Sequence, residues 1–261
     1  LSDAYASGFR PERFTTIDIH TGGVDHIAVH HTNEIAQSEA ATGKQFVRVW
    51  LHAEHLRADG KKMAKSAGNY YTLNDLVEKG FDPLAFRLFC LFAHYRSQLN
   101  FTLDALGDAQ RTLVSLNDFA DKVRFFAERT HAKRENKRIA DAVAAARKGF
   151  YTAVDDDLNM PEAFAALFAL IATVNKEIDA SQADAESLQA VMTYLEDINK
   201  LLDLFKPQEP LTAAEERLVQ QREEARARHD YTLADTIRKE LQTQGVFLED
   251  TPYGVRVKKG I

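Results

Sequence analysis

The chain has 261 residues, 45% of them hydrophobic, with a formal net charge of -6 and a single cysteine, Cys90. That length allows one large domain or two to three smaller ones, and the acidic balance excludes a general polyanion binder, so any nucleic-acid contact must come from local basic patches. One cysteine excludes an intrachain disulfide framework and fits a reducing compartment; no apolar run approaches the roughly 20 residues that span a bilayer, and the opening LSDAYASGFRPERF has no apolar core like a secretory signal. The expectation is a cytoplasmic protein without membrane association.

In chain order, residues 1 to about 70 read as α/β. Thr15 to His20 is a β-prone run that ends in a turn at Thr21-Gly22-Gly23. Residues 31–42 suit a helix, and Phe46 to His52 alternates as a strand does. A lysine-rich loop follows, DGKKMAKSAGN at 59–69. From 73 to 204 the apolar spacing is helical. Cys90 lies within a heavily apolar helix and reads as a buried small hydrophobe. Leu113, Leu116, Phe119 and Val123 predict one stripe. Phe164, Leu167, Phe168, Leu170, Ile171 and Val174 predict a second, introduced by an Asn159 cap with Pro161 just inside. Leu188, Val191, Leu195, Ile198, Leu201 and Leu202 predict a third. KPQEP at 206–210 reads as a linker. Two charged helices, about 212–226 and 230–243, precede two short strands joined at Thr251-Pro252-Tyr253-Gly254. The division is 1–70, 71–206 and 207–261.

Three stretches could carry chemistry. Glycines at a strand end, as in Asp18-Ile19-His20-Thr21-Gly22-Gly23-Val24-Asp25, permit close backbone approach to a ligand, and also make an ordinary tight turn. His30 and Glu34 stand four apart, so on a helix they share a face and could hold one divalent metal or form a solvated pair. In the lysine loop, Lys62 and Lys65 with Ser66 could grip phosphate oxygens, and the flanking Gly60 and Gly68 would let it move. A solvated lysine turn has the same composition, and the Walker A order is absent. The polar run His94 to Asn100 could be a tRNA-contacting or a structural corner, and its capping residues favour the second.

Taken together, these segments resemble the cysteinyl-tRNA synthetases. The resemblance is carried by Asp18 to His26, by His30-His31-Thr32-Asn33-Glu34 through Ser38, by Trp50-Leu51-His52, and by Lys62-Met63-Ala64-Lys65-Ser66 with Gly68-Asn69. It continues through His94 to Asn100, Asp155 to Ala163, and the tail from Ala234-Asp235 to Pro252. The lysine loop is similar to the second signature of class I synthetases, with Ala64 in place of its middle serine.

The resemblance implies α/β plus mostly α architecture. A partial Rossmann-like catalytic fold with the signature-lysine loop comes first, then a helical bundle of tRNA-binding type, then a small C-terminal α/β module of anticodon-binding type. It implies that Lys62, Lys65 and Ser66 act on ATP phosphates, with Lys65 the principal ATP contact. His20, Gly22, Gly23, Asp25 and Trp50 would line the cysteine and adenylate pocket. His30 and Glu34 would be two ligands of a zinc ion that reads the substrate thiol, since a soft thiolate coordinates zinc and a serine hydroxyl does so poorly. The family's cysteine ligands have no counterpart in residues 1–20, where Ser2 stands in the corresponding place. The His-Ile-Gly-His signature is also absent. The expectation is therefore the C-terminal portion of an enzyme whose partners are cysteine, ATP with Mg2+ and tRNA(Cys), completed by an N-terminal half or a partner chain and inactive alone. The alternatives are a non-catalytic tRNA-binding paralogue and a cysteine:amino-sugar ligase of the same family.

Overall fold

The computed structural model describes residues 13–63, 68–130 and 136–259. Lys65, Ser66 and Ser2 lie outside the described residues.

Strand β1 (Ile17–Gly23) pairs in parallel with β2 (Val47–Ala53) in register His20↔Trp50 and Gly22↔His52. The predicted Gly22-Gly23 turn is instead the end of β1, because these residues keep extended pairing with His52 and Ala53. The chain turns only afterwards, through a short 3-10 turn (Val24–His26) and a π-type turn (Ile27–His31), into helix α1 (Thr32–Thr42). Gly43, at φ 66°, ends that helix in the left-handed region.

The segment after β2 forms a second small sheet. Strand β3 (Leu56–Ala58) pairs antiparallel with β4 (Lys61–Lys62) and parallel with β5 (Leu99–Phe101). Asp59 and Gly60 join β3 to β4 with φ of 51° and 72°. Two successive positive φ values are the geometry of the tight hairpin that Asp-Gly favours. The lysine loop thus departs from a built hairpin.

Helices α2 (Leu73–Glu78) and α3 (Pro83–Leu91) lead into the bundle of α4 (Leu103–Arg129), α5 (Lys137–Asp155), α6 (Met160–Asp179) and α7 (Ala185–Leu202). Each bundle helix starts at a side-chain cap, Thr102, Asn136, Asn159 or Asp184, that accepts an otherwise unpaired N–H. On α4, Leu106, Ala109, Leu113, Leu116, Phe119, Val123 and Phe126 are buried at three-to-four spacing. Phe150, Phe164, Leu167, Leu188 and Tyr194 close the same core.

Three expectations are corrected here. Phe168 and Leu201 are exposed at 38% and 54%, because their helices bury narrower stripes than the apolar residues suggest. Cys90 is exposed, since α3 buries Ala85, Leu88 and Phe89 and turns the thiol position outward.

Beyond an irregular stretch, helices α8 (Ala213–Ala227) and α9 (Tyr231–Thr243) pack on the hairpin of β6 (Val246–Thr251) and β7 (Gly254–Lys259). This module has its own small core of Ile237, Leu241, Val246 and Leu248. Among the described residues, no helix is long and apolar enough to cross a membrane.

Candidate functional site

Residues directly paired across parallel strands share a face, so the register of β1 and β2 sends His20, Trp50, Gly22 and His52 to one side. Helix α1 begins beside them and adds Glu34 from its first turn. The preceding π-type turn adds His31. The ring centroid of His31 lies 4.7 Å from Trp50 and 4.9 Å from His20, and the His20 and Trp50 rings are 4.9 Å apart. His31 Nδ1 and His52 Nε2 share a hydrogen bond of 2.8 Å. His31 is 3% exposed. Burial, and then its neighbours His20 and His52, lower its pKa from the ordinary imidazole value, which favours a neutral ring with one nitrogen lone pair to give.

Glycine at 22 is a steric requirement of this cluster. A Cβ there would sit 2.5 Å from His31 Cε1 and 2.9 Å from His26 Nδ1. At 23 a Cβ would collide with the Asp25 carboxylate. Gly22 therefore admits the histidine rings to the sheet, while at 23 the exposed Asp25 side chain could turn aside. Asp25 itself is exposed, in the 3-10 turn beside the cleft.

Donor atoms of His20, His31 and Glu34 all lie within 4.8 Å of one another. Glu34 Oε2 stands 3.1 Å from His20 Nε2, close enough for an ion pair, yet it is buried and makes no hydrogen bond. An orphaned buried carboxylate oxygen facing two imidazoles is a donor set that a divalent cation would satisfy. His30 approaches Glu34 Oε1 at 3.6 Å across one helical turn, with its side chain 62% exposed. The spacing of His30 and Glu34 thus brings that pair together, while the tighter group contains His31 and His20. Sequence reasoning passed over His31 and His52. The signal available for His52 was its position two residues after Trp50, on the same strand face.

Lys62 is exposed on β4. The base of its loop is tied on both sides. Gly60 N–H donates to Asn100 Oδ1 at 2.6 Å, and Asn69 Nδ2 donates to Lys62 O at 3.1 Å and Ala58 O at 3.3 Å. The polar run 94–100 is the anchor for this region. Glu54 N–H donates to Tyr95 O at 2.8 Å, and Tyr95 Oη donates to Asp157 at 2.6 Å. Arg96 Nη2 donates to the same carboxylate at 3.2 Å, and its Nε donates to Tyr95 Oη at 3.0 Å. These contacts tie the sheet to the turn before α6.

The opposite face of the β1–β2 sheet is apolar and, beyond the buried Val47, open. Ile19 and Val49, paired in register, are 61% and 54% exposed, and Ile17 is exposed beside them.

Comparison with known proteins fits these parts. Residues 10–111 match the family described as tRNA synthetases class I (C) catalytic domain, residues 149–206 the DALR domain, and residues 208–257 the cysteinyl-tRNA ligase anticodon binding domain. A cysteine–tRNA ligase of Solibacter usitatus is 41% identical over 250 residues, covering 94% of this chain and 53% of the relative. That of Protochlamydia amoebophila is 39% identical over 247 residues, with 94% and 51% covered. The chain thus spans about half the length of the curated relatives it matches. Solved structures agree on fold. The LeuRS of Agrobacterium radiobacter K84, in a ternary complex, superposes with a TM-score of 0.53 at 16% identity, covering 94% of this chain and 38% of that one. Mycobacterium tuberculosis methionyl-tRNA synthetase gives 0.52 at 16% identity, covering 66% and 37%. The chain belongs to the cysteinyl-tRNA synthetase family, a class I aminoacyl-tRNA synthetase family, and carries a C-terminal portion of it.

Proposed function

We propose that this chain supplies one side of the catalytic centre of a cysteine–tRNA ligase. The complete centre joins cysteine to ATP as cysteinyl-adenylate, with release of pyrophosphate, and then transfers the cysteinyl group to the terminal ribose of tRNA(Cys). The observation that carries this reading is the convergence of His20, His31, Glu34 and Trp50 on one face of two paired parallel strands, with Gly22 and His52 following on that face toward the carboxyl ends. Ligands of open parallel sheets bind at that position.

Within this reading residues 1–70 are the C-terminal part of the catalytic domain, 71–206 the connecting and helical bundle, and 207–261 the anticodon-binding-type module. His20, Gly22, Gly23, Asp25 and Trp50 shape the cysteine and adenylate pocket. Lys62, Lys65 and Ser66 meet ATP phosphates, whose charge Mg2+ shares. Glu34 holds zinc together with histidines of its cluster: His30 by family resemblance, His20 and His31 by proximity. Bound there, zinc would select a thiolate over a hydroxyl. A neutral His31, held by His52, keeps the ring set by Gly22 in one orientation.

The open face of β1–β2 favours completion by an N-terminal half of the fold, in the same polypeptide or another. The amino-sugar ligase alternative is disfavoured by residues 208–257, which match an anticodon-binding family. The non-catalytic alternative is disfavoured by the intact histidine and glutamate cluster.

The test is cysteine-dependent ATP–pyrophosphate exchange, with this chain alone and with the N-terminal half of the Solibacter relative added. Exchange requires both, and His20→Ala abolishes it. Exchange by this chain alone, or an undiminished rate in His20→Ala, contradicts the reading.

A further inference from the structure

The C-terminal module and the bundle do not share a core. Ile237, Leu241, Val246 and Leu248 form one cluster, and the bundle forms another. From the β6–β7 hairpin, Tyr253 alone packs on the bundle cluster among the described residues, edge-on to Phe126 at 5.6 Å. What joins the two bodies is mostly charge. Arg256 on β7 is 2% exposed. Its Nη2 donates to the Asp118 carbonyl at 2.6 Å and to Asp118 Oδ1, while Nη1 donates to Glu249 Oε2 at 2.7 Å. Lys258 reaches Asp118 Oδ2 at 3.3 Å and Glu249 Oε2 at 3.1 Å. Asp118 belongs to α4, and the other three groups belong to the hairpin. Nearby, Asn117 Oδ1 accepts the Lys206 N–H at 2.7 Å, which pins the start of the linker to the same helix turn.

We propose that Arg256 and Asp118 form a latch that fixes the C-terminal module against α4, and that both are positioning residues for tRNA. Burial across the pair is asymmetric: the Arg256 guanidinium is enclosed, while Asp118 keeps part of its carboxylate in water. A buried guanidinium stays in place only while its partners satisfy it. Remove the Asp118 carboxylate, and among the described residues Arg256 and Lys258 keep on α4 only the Asp118 carbonyl as a hydrogen-bond partner, so Arg256 regains solvation by leaving the interface. Little apolar contact resists that departure, so the module swings on its linker. Asp118 and Arg256 lie outside the histidine cluster and the lysine loop, so the latch acts on orientation and not on adenylation. Its consequence for tRNA rests on the function proposed above: two RNA-contacting bodies held at one angle bind as a unit, and two bodies on a free linker do not.

The experiment uses the full chain with Cys90→Ser and spin labels at Ala172→Cys on α6 and Lys239→Cys on α9, both exposed positions. With Asp118 and Arg256 intact, the label-to-label distance is single and narrow. Asp118→Ala broadens it, although hydrogen exchange of the β6–β7 hairpin stays protected. Asp118→Asn, which keeps a side-chain acceptor for Arg256 beside the carbonyl, gives a distribution between the two. In a fluorescence titration with tRNA(Cys), Asp118→Ala weakens binding at least about tenfold. A distance that stays narrow in Asp118→Ala overturns the latch. Absence of tRNA binding by every form, with the distance still broadening, overturns the tRNA reading and leaves the latch standing.

Discussion

The bundle and the first α/β segment are built on opposite principles. The four long helices enclose a continuous apolar core in which Leu106, Phe150, Leu167 and Leu188 are completely buried. Among the described residues of 13–63, the buried set is Val47, Ala58 and His31, and the paired residues Ile19 and Val49 face outward. The bundle supplies its own stability. The segment that carries the candidate site does not, because polar rings fill one side of its two-stranded sheet and the other side, Val47 apart, is largely exposed. A two-stranded sheet is marginal by itself in water. The site's chemistry and its incomplete packing share one cause: parallel strand ends are good places for ligands, and such sheets are normally covered on both faces.

Substitutions at matched apolar positions should divide the two regions, beginning with the largest effect. Phe150→Ala leaves a cavity in the closed core and should lower the urea-unfolding free energy of the bundle by about 3–5 kcal/mol. Ile19→Ala removes a side chain already in water and should change the stability of this chain by no more than about 0.5 kcal/mol. A loss at Ile19 comparable to that at Phe150 would mean that the β1–β2 face is covered within this chain.

A middle-sized effect concerns the site's own order. Gly22→Ala drives a methyl group against His31 Cε1 and His26 Nδ1. Zinc affinity, measured in competition with a chromophoric chelator, should fall by about ten- to a hundredfold, as when a supporting shell is disturbed. Unchanged affinity would remove His31 from the donor set and favour His30 with Glu34 alone.

The smallest effect distinguishes the C-terminal module, whose cohesion is partly ionic. Arg222, a bidentate donor at 2.7 and 2.9 Å, and then Arg226 hold the Asp250 carboxyl down at about 2. A carboxyl depressed in the folded state stabilises above its unfolded value, near 3.8, and that contribution is lost as pH falls through about 2. Thermal melts of the module should therefore weaken between pH 4 and pH 2. Arg222→Lys, which lacks the two-pronged fork, should shift that loss to higher pH. Because Asp250 is 42% exposed, solvent screens the pair and the effect stays small.

Much of this was legible in the residues, for reasons that are local. Helical stripes are written in three-to-four spacing, the start of α6 in Asn159, and the C-terminal hairpin in its turn. The pairing of His30 with Glu34 follows from one helical turn. What could not be read depends on contacts between distant segments. His31 and His52 are 21 residues apart and meet only because β1 and β2 take one register. Gly22 looks like a turn until the rings it admits are in place. Asn100 holds the lysine hairpin from 40 residues away. Apolar spacing alone also overstates burial, as Phe168, Leu201 and Cys90 show by facing outward.

The central claim is that the site-bearing segment relies on a cover outside its own two strands. Hydrogen exchange of this chain, read segment by segment, tests it most directly. Amides of Ile17–Gly23 and Val47–Ala53 should exchange far faster than those of Leu103–Arg129 and Met160–Asp179, and should become protected when the N-terminal half of a relative is added. Equal protection of strands and bundle in this chain alone, or no change on addition, would contradict the account.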